Sequence, residues 1–385
     1  MLEFTIILTL VLLWYAIVPL LGAIYSRKKW NRFRQGFDRL RLAPQLDYGL
    51  YRRLEKEGGS FRFTGGFESI SEGDTLWIQA ENLIMPVSLE NTRCWLLPAK
   101  KSVMEEGFSP DEEAPQLIRW DHASTLADGA KVFVGGSVRF ADNRWRFVSS
   151  KEDPLIVIFY DCPDKELPAR VMSAWQSRSG YWNAATPVSI TIGALALIYF
   201  AFSFLDSPAF HPTVVFSLFA VFVPLLPVIP PGLLFTVICR RLIWQAGKFR
   251  ACGDIARLPL RGLEAGGNYG FRVFDSLPAE ALEKNIPLLT PESPKGKGAS
   301  KWHIFGTLDE PQPCVQPNDP PPCPRQPEDP FACFGILPGE PGALARAFFI
   351  KAYSLEVLGG FFLLLGICIN IYFFRLILLL WGVPF

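Results

Sequence analysis

Four long apolar runs, none with an internal charge, dominate this chain: residues 4–25, 188–205, 213–238 and 357–374. Roughly 20 apolar residues in a helix cross the hydrocarbon core of a bilayer, so each run is long enough, or nearly so, to be a span. Apolar residues make up 50% of the 385. The reading is an α+β membrane protein with four transmembrane helices, over residues 1–25, 188–205, 213–238 and 357–374.

Charge placement orients the spans. Only Glu3 precedes the first run, whereas Arg27, Lys28, Lys29, Arg32 and Arg34 follow it. A cleaved signal peptide has its cations in front, so this is read as an uncleaved anchor with its N-terminus outside. The loop 206–212 has no Lys or Arg, and Arg240, Arg241, Lys248, Arg250, Arg257 and Arg261 follow the third run. By the positive-inside rule, residues 26–187 and 239–356 are cytoplasmic and both termini lie outside a bacterial inner membrane. The lipid bilayer is thus the first expected partner.

The third run contains FVPLLPVIPPG, with Pro224, Pro227, Pro230, Pro231 and then Gly232. Each proline removes a backbone N–H and crowds the carbonyl one turn back, and lipid supplies no water to repair the loss. The expectation is a helix over 213–229, a break at Pro230-Pro231-Gly232, and a second helix over 233–249 along the membrane surface. These five residues form a candidate hinge. The freed carbonyls require protein partners, so this span is expected to face the bundle rather than lipid. Asn370 and Thr191 are the polar candidates inside the bilayer, and no ionisable residue lies mid-span, which argues against a proton-coupled pump.

Between the spans lie two β modules. Residues 26–45 are basic with interleaved Trp30, Phe33, Phe37, Leu40 and Leu42, the pattern of an amphipathic helix on anionic lipid. A basic stretch beside a span is a topology signal, so no nucleic acid is expected as a partner. Within the first module, 46–187, short β-rich runs at 61–69, 75–90, 92–98, 131–140, 144–150 and 154–161 are divided by turn residues. Glu81-Asn82 and Ala141-Asp142-Asn143 mark hairpins, and Gly65-Gly66 marks a break or bulge. This predicts a small barrel or sandwich. The second module, 239–356, has strand-like runs at 270–278, 301–310 and 330–337 and a proline-rich loop at 311–330.

The modules align without gaps over EDPLIVIFYDCPDKELPAR (152–170) and EDPFACFGILPGEPGALAR (328–346). Upstream, Phe33-Arg34, Asp38 and Arg39-Leu40 resemble Phe249-Arg250, Asp254 and Arg257-Leu258, and Val-Pro-Leu-Leu recurs at 18–21 and 223–226. An internal duplication is expected, each copy holding one small β-barrel module. Its shared turn is Glu152, Asp153 and Pro154 in one copy and Glu328, Asp329 and Pro330 in the other.

Chemical signatures are sparse. The three histidines, His122, His211 and His303, fall on both sides of the membrane, and the eight cysteines include no C-x-x-C pair. No nucleophile elbow, phosphate loop or zinc motif is present. No catalytic residue, cofactor or metal is assigned. Residues 129–161, GAKVFVGGSVRFADNRWRFVSSKEDPLIVIFYD, resemble the OB-like membrane-adjacent modules of NfeD-type proteins and the beside-a-membrane domain of certain membrane-anchored ligases. That resemblance implies an OB-like barrel beside a span, and no activity, because neither RING cysteines nor a protease serine motif accompanies it. The functional expectation is a non-enzymatic scaffold that binds a protein partner or a second copy of itself. The alternatives are a channel or transport subunit with a proline-hinged third span, and a membrane-bound enzyme.

Overall fold

A computed structural model describes residues 2–54, 58–71, 74–90, 92–97, 116–118, 130–141, 143–150, 153–173, 183–206, 210–264, 269–284, 286–290, 301–308 and 323–380. The chain opens with helix α1 (Leu2–Leu12), a π turn (Leu13–Ile17), α2 (Val18–Arg41) and α3 (Tyr48–Arg53). Strands β1 (Gly59–Ser71), β2 (Thr75–Ala80), β3 (Leu83–Ser88), β4 (Arg93–Leu96), β5 (Gln116–Ile118), β6 (Lys131–Ala141), β7 (Arg144–Phe147) and β8 (Ile156–Tyr160) follow. Next come α4 (Leu167–Ser173), α5 (Ala185–Ser203), α6 (His211–Val221), a 3₁₀ turn (Val223–Val228) and α7 (Gly232–Glu264). Strand β9 (Tyr269–Phe274), α8 (Ala279–Glu283), β10 (Trp302–Thr307), β11 (Gly335–Leu337) and α9 (Pro341–Leu380) complete the order. The chain divides into two compact units, one of Met1–Asn31, Gln176–Phe249 and Ile350–Phe385, the other of Arg32–Trp175 and Arg250–Phe349.

In the first unit, three helices are long and apolar enough to cross a membrane: Leu2–Arg41, Ala185–Ser203 and Pro341–Ile377. Their broad apolar surface is what lipid would cover. Ile7, Tyr15, Leu197 and Ala220 bury one another where α1, the π turn, α5 and α6 meet. The third apolar run departs from the expected α-helix over 213–229 ahead of the break at Pro230-Pro231-Gly232. It forms the 11-residue α6, the six-residue 3₁₀ turn and the start of α7. The physical reason is in the prolines: Pro224 stands in the first turn of the 3₁₀ segment and Pro227 inside it, where the tighter winding asks less of the missing donors. The expected surface helix over 233–249 is also corrected. Gly366 of α9 approaches Phe235 and Gly232, and Gly359 approaches Cys239, Leu242 and Ile243. Helix α7 therefore begins antiparallel alongside the apolar stretch of α9, which offers it a protein neighbour.

The second unit holds a closed barrel. Strand β1 pairs with β6 through residues 59–66 and with β2 through residues 66–71. The partner changes at Gly65-Gly66, within one continuous strand. A Cβ on Gly65 would run into the Gln79 carbonyl, so glycine lets the strand bend around the corner. β2 and β3 are antiparallel, β3 meets β7 in parallel at Val87 and Phe147, and β7 returns antiparallel to β6. The circuit β1-β2-β3-β7-β6-β1 closes five strands, filled by Phe63, Leu76, Ile78, Met85, Val138 and Phe147. From β6 the sheet continues through β8, β4 and β5.

A second barrel was the expectation for 239–356. Among the described residues this segment forms instead a three-stranded antiparallel sheet, β9-β10-β11, over a small core of Ala281, Ile286, Ile304, Cys323 and Ile336. Its alternating apolar runs are too few to close a barrel, and proline cannot donate to a ladder. The loop 311–322 lies outside the described residues.

The basic stretch is corrected too. Phe33, Phe37 and Leu40 of α2 are buried in protein rather than presented to lipid. Phe37 packs on Phe133 of β6 with ring centres 5.2 Å apart, and Phe33 on Trp95 of β4 at 4.2 Å. Gly135 makes room for the helix, since a Cβ there would lie 2.8 Å from that of Leu40.

Candidate functional site

Two polar constructions stand out, one in each unit. In the apolar unit, the chain from Leu226 to Gly232 interrupts the regular α-helical ladder. Pro230 lacks the N–H that would have reached the Leu226 carbonyl, and Pro231 the one for Pro227. Side chains replace both. Asn370 of α9, buried to 1% exposure, donates its amide to the Leu226 carbonyl and, at 2.8 Å, to that of Ile229. Its oxygen accepts the Gly232 N–H at 3.3 Å. The Thr236 hydroxyl donates to the Pro227 carbonyl at 2.6 Å. One amide thus serves two acceptors and one donor, using both of its N–H groups and one of its oxygen's two lone pairs. Of the candidate hinge residues, Gly232 touches Asn370 directly, Pro224 and Pro227 lie in the 3₁₀ turn, and Pro230 and Pro231 join across a cis peptide bond. A related arrangement serves Pro19, whose carbonyl accepts from Asn183 at 2.8 Å.

The second unit contains a seam of buried charge between α2 and α7. Asp38 and Arg41 are 2% and 0% exposed. Arg41 Nε donates to Asp38 Oδ1 at 2.6 Å, and Arg261 of α7 donates to Asp38 Oδ2. The rest of the Arg41 fork reaches the carbonyls of Phe331, at 2.9 Å, and Leu258, at 3.3 Å. Arg34 pairs with Asp254 of α7. Burial raises the Asp254 carboxyl above its ordinary value, with Arg34, Arg257 and Arg261 opposing that shift. The Arg62 guanidinium of β1 meets Asp329 at 2.8 Å, donates to the Arg41 carbonyl and lies 5.0 Å from the centre of the Phe331 ring.

The shared turn motif meets this seam. Asp329 Oδ1 accepts the Phe331 N–H at 2.9 Å, closing the turn, while its other oxygen takes Arg62. Asp153 accepts from the Ser137 hydroxyl at 2.6 Å and from Arg39. Both aspartates therefore combine a turn with an ion pair. Pro154 and Pro330 follow them, and Glu328 precedes Asp329 in the chain. Glu152 lies outside the described residues. A groove of about 760 Å³ opens beside the seam, lined by Asp38, Arg39, Leu40, Asp153, Arg261 and Glu264 among others.

Sequence reading missed the seam because it assigned the basic stretch to lipid. The available signal was a lone aspartate in each basic helix, Asp38 three residues before Arg41 and Asp254 seven before Arg261. Four buried cysteines are chemically quiet. Burial pushes the thiols of Cys94 and Cys333 up to about 12 and those of Cys162 and Cys323 up to about 11, which leaves them protonated and weakly nucleophilic. Among the described residues, no three His, Cys, Asp or Glu side chains converge as metal ligands. His211 and His303 lie in different units, and His122 is outside the described residues. No protein-family model, curated protein or solved structure matches the chain.

Proposed function

We propose that the chain is an integral protein of a bacterial inner membrane whose cytoplasmic β modules form a protein-interaction or assembly scaffold. The observation that carries this reading is the seam. Its ionised groups are each answered by counter-ions or carbonyls, the use of buried charge that fixes one arrangement of parts rather than a reactive centre. A clamped platform of this kind presents a constant surface to a partner. Purification in mild detergent with cross-linking should recover a stoichiometric partner or a defined homo-oligomer. A monodisperse monomer under all conditions would end the proposal.

The duplication belongs to the same reading. The strand order β1-β6-β8 in the first module and β9-β10-β11 in the second supports it, each set antiparallel throughout and each preceded by a helix. The sequence alignment equates Asp38 with Asp254. Each takes an arginine from the other helix, Asp38 from Arg261 and Asp254 from Arg34. Such exchange is what two copies facing each other about a two-fold axis would make. A fourth crossing through the broken run also fits: α6, the 3₁₀ turn and the start of α7 together run antiparallel to the apolar stretch of α9, from Phe219 beside Phe374 to Cys239 beside Gly359. With four crossings both termini lie outside. Maleimide labelling of single cysteines placed before residue 4 and after residue 380 should then occur from the periplasmic side.

The second reading, a channel or transport subunit, is favoured by one observation, the polar backbone of the proline break held at membrane depth by Asn370. Irregular backbone in a bilayer is tolerated where protein surrounds it or where it lines a cavity. Solute flux into liposomes, altered by replacing Pro227 and Pro230 with alanine, would support it. Flux equal to that of empty vesicles would dismiss it.

A further inference from the structure

The hairpin of β6 and β7 wears its charge on the outside of the barrel. Val138 and Phe147 point inward and are fully buried, so the alternate residues Arg139, Arg144 and Arg146 stand on the outer face. Arg139 lies directly across from Arg146, and Arg144 is two residues from Arg146 along β7. Arg144 sits over the Trp77 ring, 5.1 Å from its centre, and Trp77 is itself paired across the sheet with Pro86. Ile84, 45% exposed, is an apolar neighbour on β3. Arg139 and Arg144 are exposed, and among the described residues neither is ion-paired to a carboxylate. Arg146 makes contacts of its own. This contrasts with the seam, where the arginines are answered from within the chain.

We propose that this outer face binds an extended acidic segment of a protein partner, which deepens the scaffold reading and rests on it. Charge complementarity names the sign of the occupant, and spacing names its form. Arg139 and Arg144 are diagonal neighbours across a strand pair, with side chains about 7–8 Å apart. Alternate side chains of an extended peptide recur at about 6.6–6.8 Å. Two carboxylates at alternate positions can therefore each meet a guanidinium fork, the geometry in which arginine binds carboxylate best. Ile84 supplies an apolar contact beside them. A single-stranded nucleic acid fits less well, because the face of Trp77 turned to the hairpin is already covered by Arg144, and base recognition of that kind needs an open aromatic platform.

The test uses the full chain in a non-ionic detergent and a short fluorescent peptide of alternating glutamate and threonine. A peptide of the same composition with its glutamates in one block, and an oligothymidylate, serve as controls. The alternating peptide should bind, more weakly as salt rises, and ahead of both controls. Arg139→Ala and Arg144→Ala should each weaken it roughly tenfold, with thermal unfolding unchanged in Arg139→Ala and lowered by no more than the loss of the Trp77 contact in Arg144→Ala. Equal binding by parent and double variant overturns the proposal. So does block peptide binding as well as the alternating one, or an oligothymidylate that binds more tightly and is lost with the same arginines. Cross-linking parent and double variant separates the two readings. An assembly recovered from both, with no peptide bound, refutes the surface and leaves the scaffold standing. Peptide bound without any recovered assembly supports the surface and counts against the scaffold.

Discussion

Replacing Asn370 with leucine should loosen the proline break while keeping its volume nearly constant. The substitution removes two donors and one acceptor. The Leu226 carbonyl keeps the Ile229 N–H at 3.3 Å, and the Ile229 carbonyl keeps the Leu233 N–H at 3.2 Å, so these oxygens are weakened rather than stranded. Hydrogen bonds between membrane helices contribute about 0.6–1.7 kcal/mol each. The Gly232 N–H fares worse. It opens α7, and the first donors of a helix have no intrahelical partner. Leaving it buried and unanswered costs about 1–3 kcal/mol. Together the change should cost roughly 2–6 kcal/mol. The assay is thiol labelling of Cys239, which is buried on α7, in a variant whose other cysteines are replaced. If opening at the break exposes it, labelling should accelerate by at least about thirtyfold. Gly232→Ala should act in the same direction, because its new methyl would run into the Asn370 side chain. Labelling of the Asn370→Leu variant within twofold of the parent, with unfolding unchanged, would refute the idea that the amide holds the break.

Three further outcomes follow from the second unit. Asp38→Ala leaves Arg41 buried without its carboxylate and should destabilise this unit by about 3–5 kcal/mol, read as a lowered unfolding midpoint; a loss under 1 kcal/mol would mean the seam carries little. Gly135→Val forces a side chain against Leu40 and should cost about 1–3 kcal/mol, partly recovered when Leu40 is also shortened; no recovery would place the strain elsewhere. Burial lowers the His303 pKa below its ordinary 6.5, against a smaller opposing pull from Glu340. Its contribution is therefore present above pH 6.5 and declines as pH falls from there toward its folded value, where the unfolded chain binds the extra proton. His303→Gln should flatten stability against pH in that window, and an unchanged slope would contradict the assignment.

Local elements were the most legible. The hairpin over 75–90 turns at Glu81, with φ of 40°, and the next turns at Asn143, with φ of 63°, because turn residues announce themselves singly. Barrel closure was less legible. It depends on β1 being long enough to serve two partners and on Gly65 permitting the corner, which is a relation between distant strands. The seam was hidden for a different reason. Charges read along one helix look like a surface, and only the approach of α7 to α2 shows that Asp38 and Arg41 are interior. Asn370 was visible as a polar residue in an apolar run, but its three partners lie about 140 residues away in the chain.

The choice of an amide at the proline break has an electrical consequence. Asn370 carries dipoles and no net charge, and the backbone groups it holds are neutral as well. A transmembrane voltage does about 2.3 kcal/mol of work per elementary charge per 100 mV, and the latch offers it no charge to move. Neither does it offer a proton to bind or release. In the membrane placement proposed above, the break would be held by a fastening with no charge for the potential to move and no proton to exchange, leaving the thickness of the surrounding lipid and the tilt of α9 against α7 to work upon it.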